Sequence, residues 1–259
     1  MGLKIKNQKR FLLMVCAALL VFILLLVSIC TLIGTLLGFE VQPANPSTAQ
    51  TTEETTTNTQ DGVEVTQSPD YTSPDSLLVL VNKTHGIDTS YVPADLVQVS
   101  TTPLPGSRDT QMRSEAADAL IRLFNDASAA GLTLYCASGY RSYETQVETY
   151  QENIAIYGQE EGSHLSAEPG YSEHQTGLVM DVTCESMNMD LNESFIDTAE
   201  GQWVEANAYR YGFIIRYPKD KTEITGYNYE PWHLRYVGID AAAAMHESGQ
   251  CLEEYLGVI

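Results

Sequence analysis

Residues 11–39 contain no charged side chain, and that fact decides how much of the chain is available for a globular fold. The run exceeds the roughly 20 apolar residues that span a hydrocarbon layer and is too long for the core of a cleaved signal peptide, roughly 7 to 15 residues. It is expected to be a membrane anchor. Lys4, Lys6, Lys9 and Arg10 precede it without an acidic residue, so residues 1–10 are expected in the cytoplasm and the rest of the chain outside, at the cell membrane. Cys30 follows Val27, Ser28 and Ile29; Ile29 is not the small residue that lipidation would want, so Cys16 and Cys30 read as apolar residues of the span.

Residues 40–75 are dominated by Thr, Ser, Pro, Gln, Glu and Asn, with TTEETTTNTQ close to low complexity. Such a segment buries too little apolar surface to offset the entropy of ordering and is expected to be a disordered linker. About 36 flexible residues have a root-mean-square span of roughly 30 to 36 Å, which suits a tether. Residues 76–259 are one domain's worth of chain.

Charge narrows the function classes. Four of the 14 Lys and Arg precede the anchor, leaving ten against all 34 Asp and Glu, a net charge of −24 outside. A field of that sign excludes nucleic acid and anionic lipid as partners held by long-range attraction. Cys136, Cys184 and Cys251 show no CxxC spacing, so neither a zinc ribbon nor a disulfide framework is indicated, and an odd count allows one bridge at most. Nothing in the sequence fixes an oligomeric state.

Periodicity supplies a coarse fold. Residues 77–81 read as a first strand. Met112, Ala116, Leu120, Phe124 and Ala127 recur at helical spacing through residues 111–130, with Gly131 as the stop. A strand over 132–137 leads to a helix capped by Ser142, with Val147, Tyr150, Ile154 and Tyr157 on one face and Gly158 at its end. Residues 159–175, polar and glycine-containing, are expected to be a long loop. In the strand over 177–184, Leu178, Met180, Val182 and Cys184 alternate with Val179, Asp181 and Thr183, which puts Asp181 opposite the longer apolar row. A helix over 198–211, a strand over 213–216, a last strand over 230–237 and a final helix complete the chain. The strands are too few and too unevenly spaced for a doubly wound sheet, so the expected fold is compact α+β with a small, mostly antiparallel sheet flanked by helices.

Three segments at strand boundaries carry the chemistry: SGYRS at 138–142, SEHQTGLVMD at 172–181 and EPWHLRY at 230–236. A hydrolytic zinc takes three protein ligands from His, Asp and Glu and keeps a fourth position open. His174, Asp181 and His233 supply that set. Glu230, three residues before His233, is then the natural base, since a carboxylate beside the attacking water can take its proton and pass it to the leaving amine. On a regular strand Glu230 and His233 would face opposite ways; Pro231 between them disfavours both strand and helix and predicts a local irregularity that turns both toward the metal. Arg141 can hold a carboxylate with two parallel hydrogen bonds or stabilise an oxyanion. Tyr140 and Trp232 beside these groups read singly as packing residues, and alongside Arg141 as walls of the substrate cleft. His85, His164 and His246 have no such context and read as structural or solvent-facing.

Taken together, SGYRS, then S-x-H-x-x-G-x-x-x-D, then E-P-W-H resemble the VanY-type D-alanyl-D-alanine carboxypeptidases, within the zinc peptidases that cut peptidoglycan stem peptides, over about residues 138–236. The resemblance implies zinc on His174, Asp181 and His233, Glu230 as base, and substrate contacts from Arg141, Gln146 and Ser172. It implies removal of a C-terminal D-alanine from a stem peptide, across a D-Ala-D-Ala or an L,D bond. An endopeptidase, or a stem-peptide binding or sensing module without activity, are the alternatives. A mere binder has no need of Glu230, and an endopeptidase has no need of a carboxylate clamp at Arg141.

Overall fold

The computed structural model describes residues 69–103, 109–159, 162 and 166–259. The anchor expected at 11–39, most of the tether at 40–75, and His164 lie outside the described residues. Among the described residues no helix is long and apolar enough to cross a membrane.

The sheet is built around one strand. In chain order, β1 (Leu96–Gln98) pairs with β2 (Gln111–Arg113) as a separate antiparallel ribbon. Helix α1 (Ser114–Ala129) leads to β3 (Leu134–Ser138), and α2 (Tyr143–Tyr157) follows. A 3-10 turn, Glu173–Thr176, runs into β4 (Val179–Cys184). After α3 (Ala199–Asn207) come β5 (Phe213–Ile215), the single turn α4 (Thr222–Thr225), β6 (His233–Tyr236), α5 (Ile239–Ser248) and α6 (Leu252–Leu256). The main sheet has the order β3-β4-β6-β5, every pair antiparallel, as the α+β reading expects.

All six residues of β4 are buried. Leu178, Met180, Val182 and Cys184 join one apolar core with Ala116, Leu120, Leu123 and Phe124 of α1, while Asp181 lies on the opposite side of the alternating row. A second, smaller core packs α5 and α6 on Leu80 and Val237. Tyr71, within the expected linker, packs against this second core, and its carbonyl accepts from the Leu80 amide. The fold therefore takes in the last residues of the segment read as tether.

Several expected elements are displaced, each for a physical reason. Residues 77–81 form no strand. Val79, Leu80 and Val81 are buried, but the carbonyls of Leu77 and Val79 accept from the Arg235 guanidinium at 3.0 and 2.8 Å, so a side chain takes the place of a ladder neighbour. The helix expected from residue 111 begins at Ser114, because residues 111–113 pair with β1; Met112 is still fully buried, as a strand residue. Ser142 caps α2 by accepting from the Thr145 amide. None of Val147, Tyr150, Ile154 and Tyr157 is buried, however, and the one buried residue of the helix is Gln146. The three cysteines are free and buried.

Two glycines shape the approach to β4. Gly177 ends the 3-10 turn in the left-handed region at φ 68°. At Gly139 an added Cβ would lie 2.5 Å from the Gln111 carbonyl oxygen and 3.0 Å from Met180 Cε, because the SGYRS loop runs against β2 with Tyr140 N–H donating to that same carbonyl at 2.7 Å. Gly139→Ala is expected to displace the loop and to cost about 1–3 kcal/mol, as overpacking does, read as a lowered midpoint in denaturant unfolding. An unchanged midpoint would show that the loop has room the contact distances deny.

Candidate metal centre and active-site cleft

Sheet register brings the first two site residues together. Asp181 of β4 is paired directly with His233 of β6 and, on its other side, with Ser138 at the end of β3. Residues directly opposite each other in a ladder share a face, so His233 Nδ1 comes within 3.0 Å of Asp181 Oδ1. His174 arrives from the 3-10 turn before β4, with Nε2 3.4 Å from Asp181 Oδ2 and its ring edge-on to that of His233. Two contacts fix this turn against the SGYRS loop: Arg141 N–H donates to the His174 carbonyl at 3.1 Å, and His174 Nδ1 lies 2.7 Å from the Gly139 carbonyl. Since a carbonyl only accepts, Nδ1 carries the proton and Nε2 presents its lone pair to the centre.

The three ligand atoms of His174, Asp181 and His233 lie within 4.8 Å of one another, and all three residues are buried. Asp181 Oδ1 is buried without a hydrogen bond, a costly state for a carboxylate that a dication would relieve. Two imidazoles and one carboxylate are a donor set that suits zinc, so the residues fit the metal. Burial, reinforced by Arg141, pushes His174 down to about 3, which keeps its ring neutral.

Glu230 reaches the same place by the irregularity expected at Pro231. Residues 231–232 form a turn, His233 N–H donates back to the Glu230 carbonyl at 3.1 Å, and β6 starts only at His233. Glu230 Oε2 thereby sits 3.7 Å from His233 Nδ1. Burial, helped by the charges of Asp181 and Glu173 against that of His233, raises its carboxyl to about 7.

These groups open on a cleft of about 540 Å³. Arg141 lines it, donating from Nη1 to Gln146 Oε1 at 2.8 Å and from Nη2 to Ser138 Oγ at 2.9 Å. Gln146 is held in turn by donating to Ser166 Oγ and the Ala167 carbonyl. Ser172 and Trp232 also line the cleft. Tyr140 is not among the lining residues: it is buried, and its amide donates to the Gln111 carbonyl. Tyr217 and Tyr227 stack with centroids 4.4 Å apart, and the Tyr217 ring lies 5.0 Å from that of His233; neither was singled out in the sequence.

Behind the metal-binding face lies a buried ionic network that motif reading also missed. Glu173 Oε1 accepts from Arg216 Nε and Arg235 Nη1, each at 2.7 Å, and Arg216 donates with its other nitrogens to Glu253 of α6. Burial works against the charged Glu173, but the two guanidiniums outweigh it and hold the carboxyl well below its usual range. The available signal was a charge inside an apolar strand, Arg216 after FII and Arg235 within HLRY, since a buried charge demands a partner. His85 bonds locally to Asn82 and Thr84, and His246 stacks on Tyr209, both structural as expected.

Comparison with known proteins agrees with this geometry. Residues 109–239 match the family described as VanY: D-alanyl-D-alanine carboxypeptidase. A D-alanyl-D-alanine carboxypeptidase of Enterococcus faecalis (strain ATCC 700802 / V583) is 41% identical over 189 residues, covering 69% of this chain and 65% of that protein. Among solved structures, the LdcB LD-carboxypeptidase is 45% identical with a TM-score of 0.67, covering 71% of this chain and 87% of its own. A variant of the vancomycin resistance D,D-pentapeptidase VanY in complex with Zn(II) is 39% identical with a TM-score of 0.58, covering 69% and 98%. With half the chain matched by the family and a His-Asp-His centre that fits zinc, the chain belongs to the VanY family of D-alanyl-D-alanine carboxypeptidases, as a zinc metallopeptidase.

Proposed function

We propose that this protein removes the C-terminal D-alanine from peptidoglycan stem peptides outside the cell, held to the membrane by residues 11–39. The observation that carries the reading is the convergence of a buried His-Asp-His set, a carboxylate 3.7 Å from one of its ligands, and a guanidinium lining the same cleft. The charge pattern of residues 1–40 supports the anchored, outward-facing placement. Zinc, when bound by His174, Asp181 and His233, would acidify the attacking water and polarise the scissile carbonyl.

The chain's own residues do the rest. Arg141, pre-aimed by Gln146 and Ser138, holds the substrate's terminal carboxylate, and Ser172 and Trp232 bound the cleft around the last residue. Glu230 takes a proton from the water whose oxygen adds to the carbonyl carbon, then delivers it to the amine nitrogen as the C–N bond breaks. A carboxyl raised to about 7 is basic enough to accept that proton and acidic enough to return it. His174 keeps a neutral ring throughout.

His233 behaves differently. Burial opposes its charge, but Asp181 and Glu173 outweigh this and raise it to about 9, so in the metal-free protein zinc must displace a proton from Nδ1. Zinc affinity is therefore expected to rise about tenfold per pH unit between pH 7 and 9, with one proton released from the two histidines rather than two. Calorimetric titration in buffers of different ionisation enthalpy counts that proton; a pH-independent affinity would contradict the assignment of the proton to His233.

The direct test of function is to incubate the protein with a pentapeptide stem and with the matching tetrapeptide, with zinc and with chelator, and to follow both by mass spectrometry. Chelator-sensitive loss of one D-alanine is expected, and the peptide that shortens reports whether a D,D or an L,D bond is cut. Absence of cleavage of either peptide by the zinc-loaded protein would overturn the reading. Glu230→Gln is expected to retain zinc stoichiometry while kcat falls by about 10²–10⁴-fold, the typical contribution of a positioned acid–base group; near-native turnover in that variant would remove Glu230 from the mechanism.

A further inference from the structure

We propose that Glu173 is a positioning residue of the zinc centre: its free oxygen, Oε2, accepts the Nε2 proton of His233 and so keeps Nδ1 available to the metal. The inference rests on the His-Asp-His reading but not on the substrate assigned above. Glu173 is fully buried, and the two guanidiniums beside it converge on one oxygen: Arg216 Nε and Arg235 Nη1 both donate to Oε1. An ion pair that served stability alone would use both oxygens, as Glu253 does with Arg216. Oε2 instead has no hydrogen bond and lies 3.7 Å from His233 Nε2, which is likewise buried and without a partner. Two orphaned, complementary atoms facing each other are the signature of a contact that a small ring rotation closes. The gap is longer than a hydrogen bond and too short to admit a bridging water.

The anchoring of Glu173 explains why it can do this. Arg235 is fastened by Nε to the Tyr236 carbonyl and by Nη2 to the carbonyls of Leu77 and Val79, and Arg216 is fastened to Glu253 of α6. Four separate segments thus fix the carboxylate that faces the ligand. A metal-bound imidazole whose other nitrogen donates to a carboxylate is held in one tautomer and is a more basic ligand; loss of such a partner typically lowers metal affinity 10–100-fold.

Glu173→Gln discriminates sharply. The glutamine has one acceptor oxygen, which the two guanidiniums claim, so its NH2 is turned toward His233 Nε2 and favours the opposite tautomer, with the proton on Nδ1. Zinc affinity of the full chain, measured by competition with a chromophoric chelator, is expected to fall at least tenfold, and the visible spectrum of the cobalt-substituted protein to change. Glu253→Gln weakens the same network two contacts away; it is expected to lower the thermal midpoint while leaving zinc affinity within threefold. A folded Glu173→Gln protein with affinity within threefold of wild type, or an equal loss in Glu253→Gln, would overturn the proposal. Should Glu173→Gln fail to fold, 15N spectra of the zinc-loaded wild type decide: a protonated, slowly exchanging Nε2 on His233 is expected, and an Nε2 without a proton refutes it. None of these readouts involves peptide cleavage, so they stand apart from the substrate reading.

Discussion

The pairing of Asp181 with His233 across β4 and β6 is the constraint on which the site depends. Side chains alternate along a strand, so a slip of one residue between these strands would turn one of the pair to the opposite face. The register is held by burial on both sides: Leu178, Met180 and Val182 must stay in the apolar core with α1, and Val179, Asp181 and Thr183 follow on the other face by necessity. The same packing that makes the sheet stable therefore sets the distance between two metal ligands. His174 is added by the turn that feeds β4, so the third ligand is tied to the same strand by seven residues of chain.

Such a site puts charge where a core would exclude it. Glu173, Glu253, Arg216 and Arg235 are buried together, and breaking a buried pair by removing one partner typically costs about 3–5 kcal/mol because the other charge is left uncompensated. Here each guanidinium meets a carboxylate or a backbone carbonyl with nearly every nitrogen. Of the four buried side-chain atoms left without hydrogen bonds among the described residues, Asp181 Oδ1, Glu173 Oε2 and His233 Nε2 belong to the metal centre or to the residue behind it; the fourth, Gln175 Oε1, sits on an amide whose nitrogen is bonded to the Asp88 and Tyr91 carbonyls. Three of the four therefore gather around one point, where a dication and a fixed imidazole tautomer would satisfy them.

Much of this was legible in the sequence, for identifiable reasons. His174, Asp181, His233 and Glu230 could be picked out because they are ligand and base residue types at the ends of apolar runs, and the consequence of Pro231 followed from its missing N–H and fixed φ. The strands after residue 132 were legible from apolar runs between glycines. Residues 77–81 misled because an apolar run reports burial and not ladder pairing, and here Arg235 supplies the donors. The first turn of α1 misled because Met112 fits a helical stripe while pairing as a strand. In α2 the apparent apolar face is not what docks the helix; the buried Gln146 is, and a polar anchor leaves no periodic trace. Tyr140 reads in the sequence both as a packing residue and as a cleft wall, and in the structure it is buried.

The acidity of the chain bears on how a substrate carboxylate could be recognised at all. The net charge of −24 on residues 40–259 repels an anionic peptide end at long range, yet with a Debye length of about 8 Å at physiological ionic strength that repulsion is largely screened before contact. Selection must then occur inside the cleft, where Arg141 is the guanidinium among the lining residues and is already aimed by Gln146 and Ser138. On the proposed reading, holding Arg141 rigid before binding would lessen the side-chain entropy lost when a carboxylate arrives, and Gln146, the one buried residue of α2, is one of the two groups that hold it. The polar docking of that helix, which looks like a weakness in the fold, is the arrangement that couples α2 to the cleft.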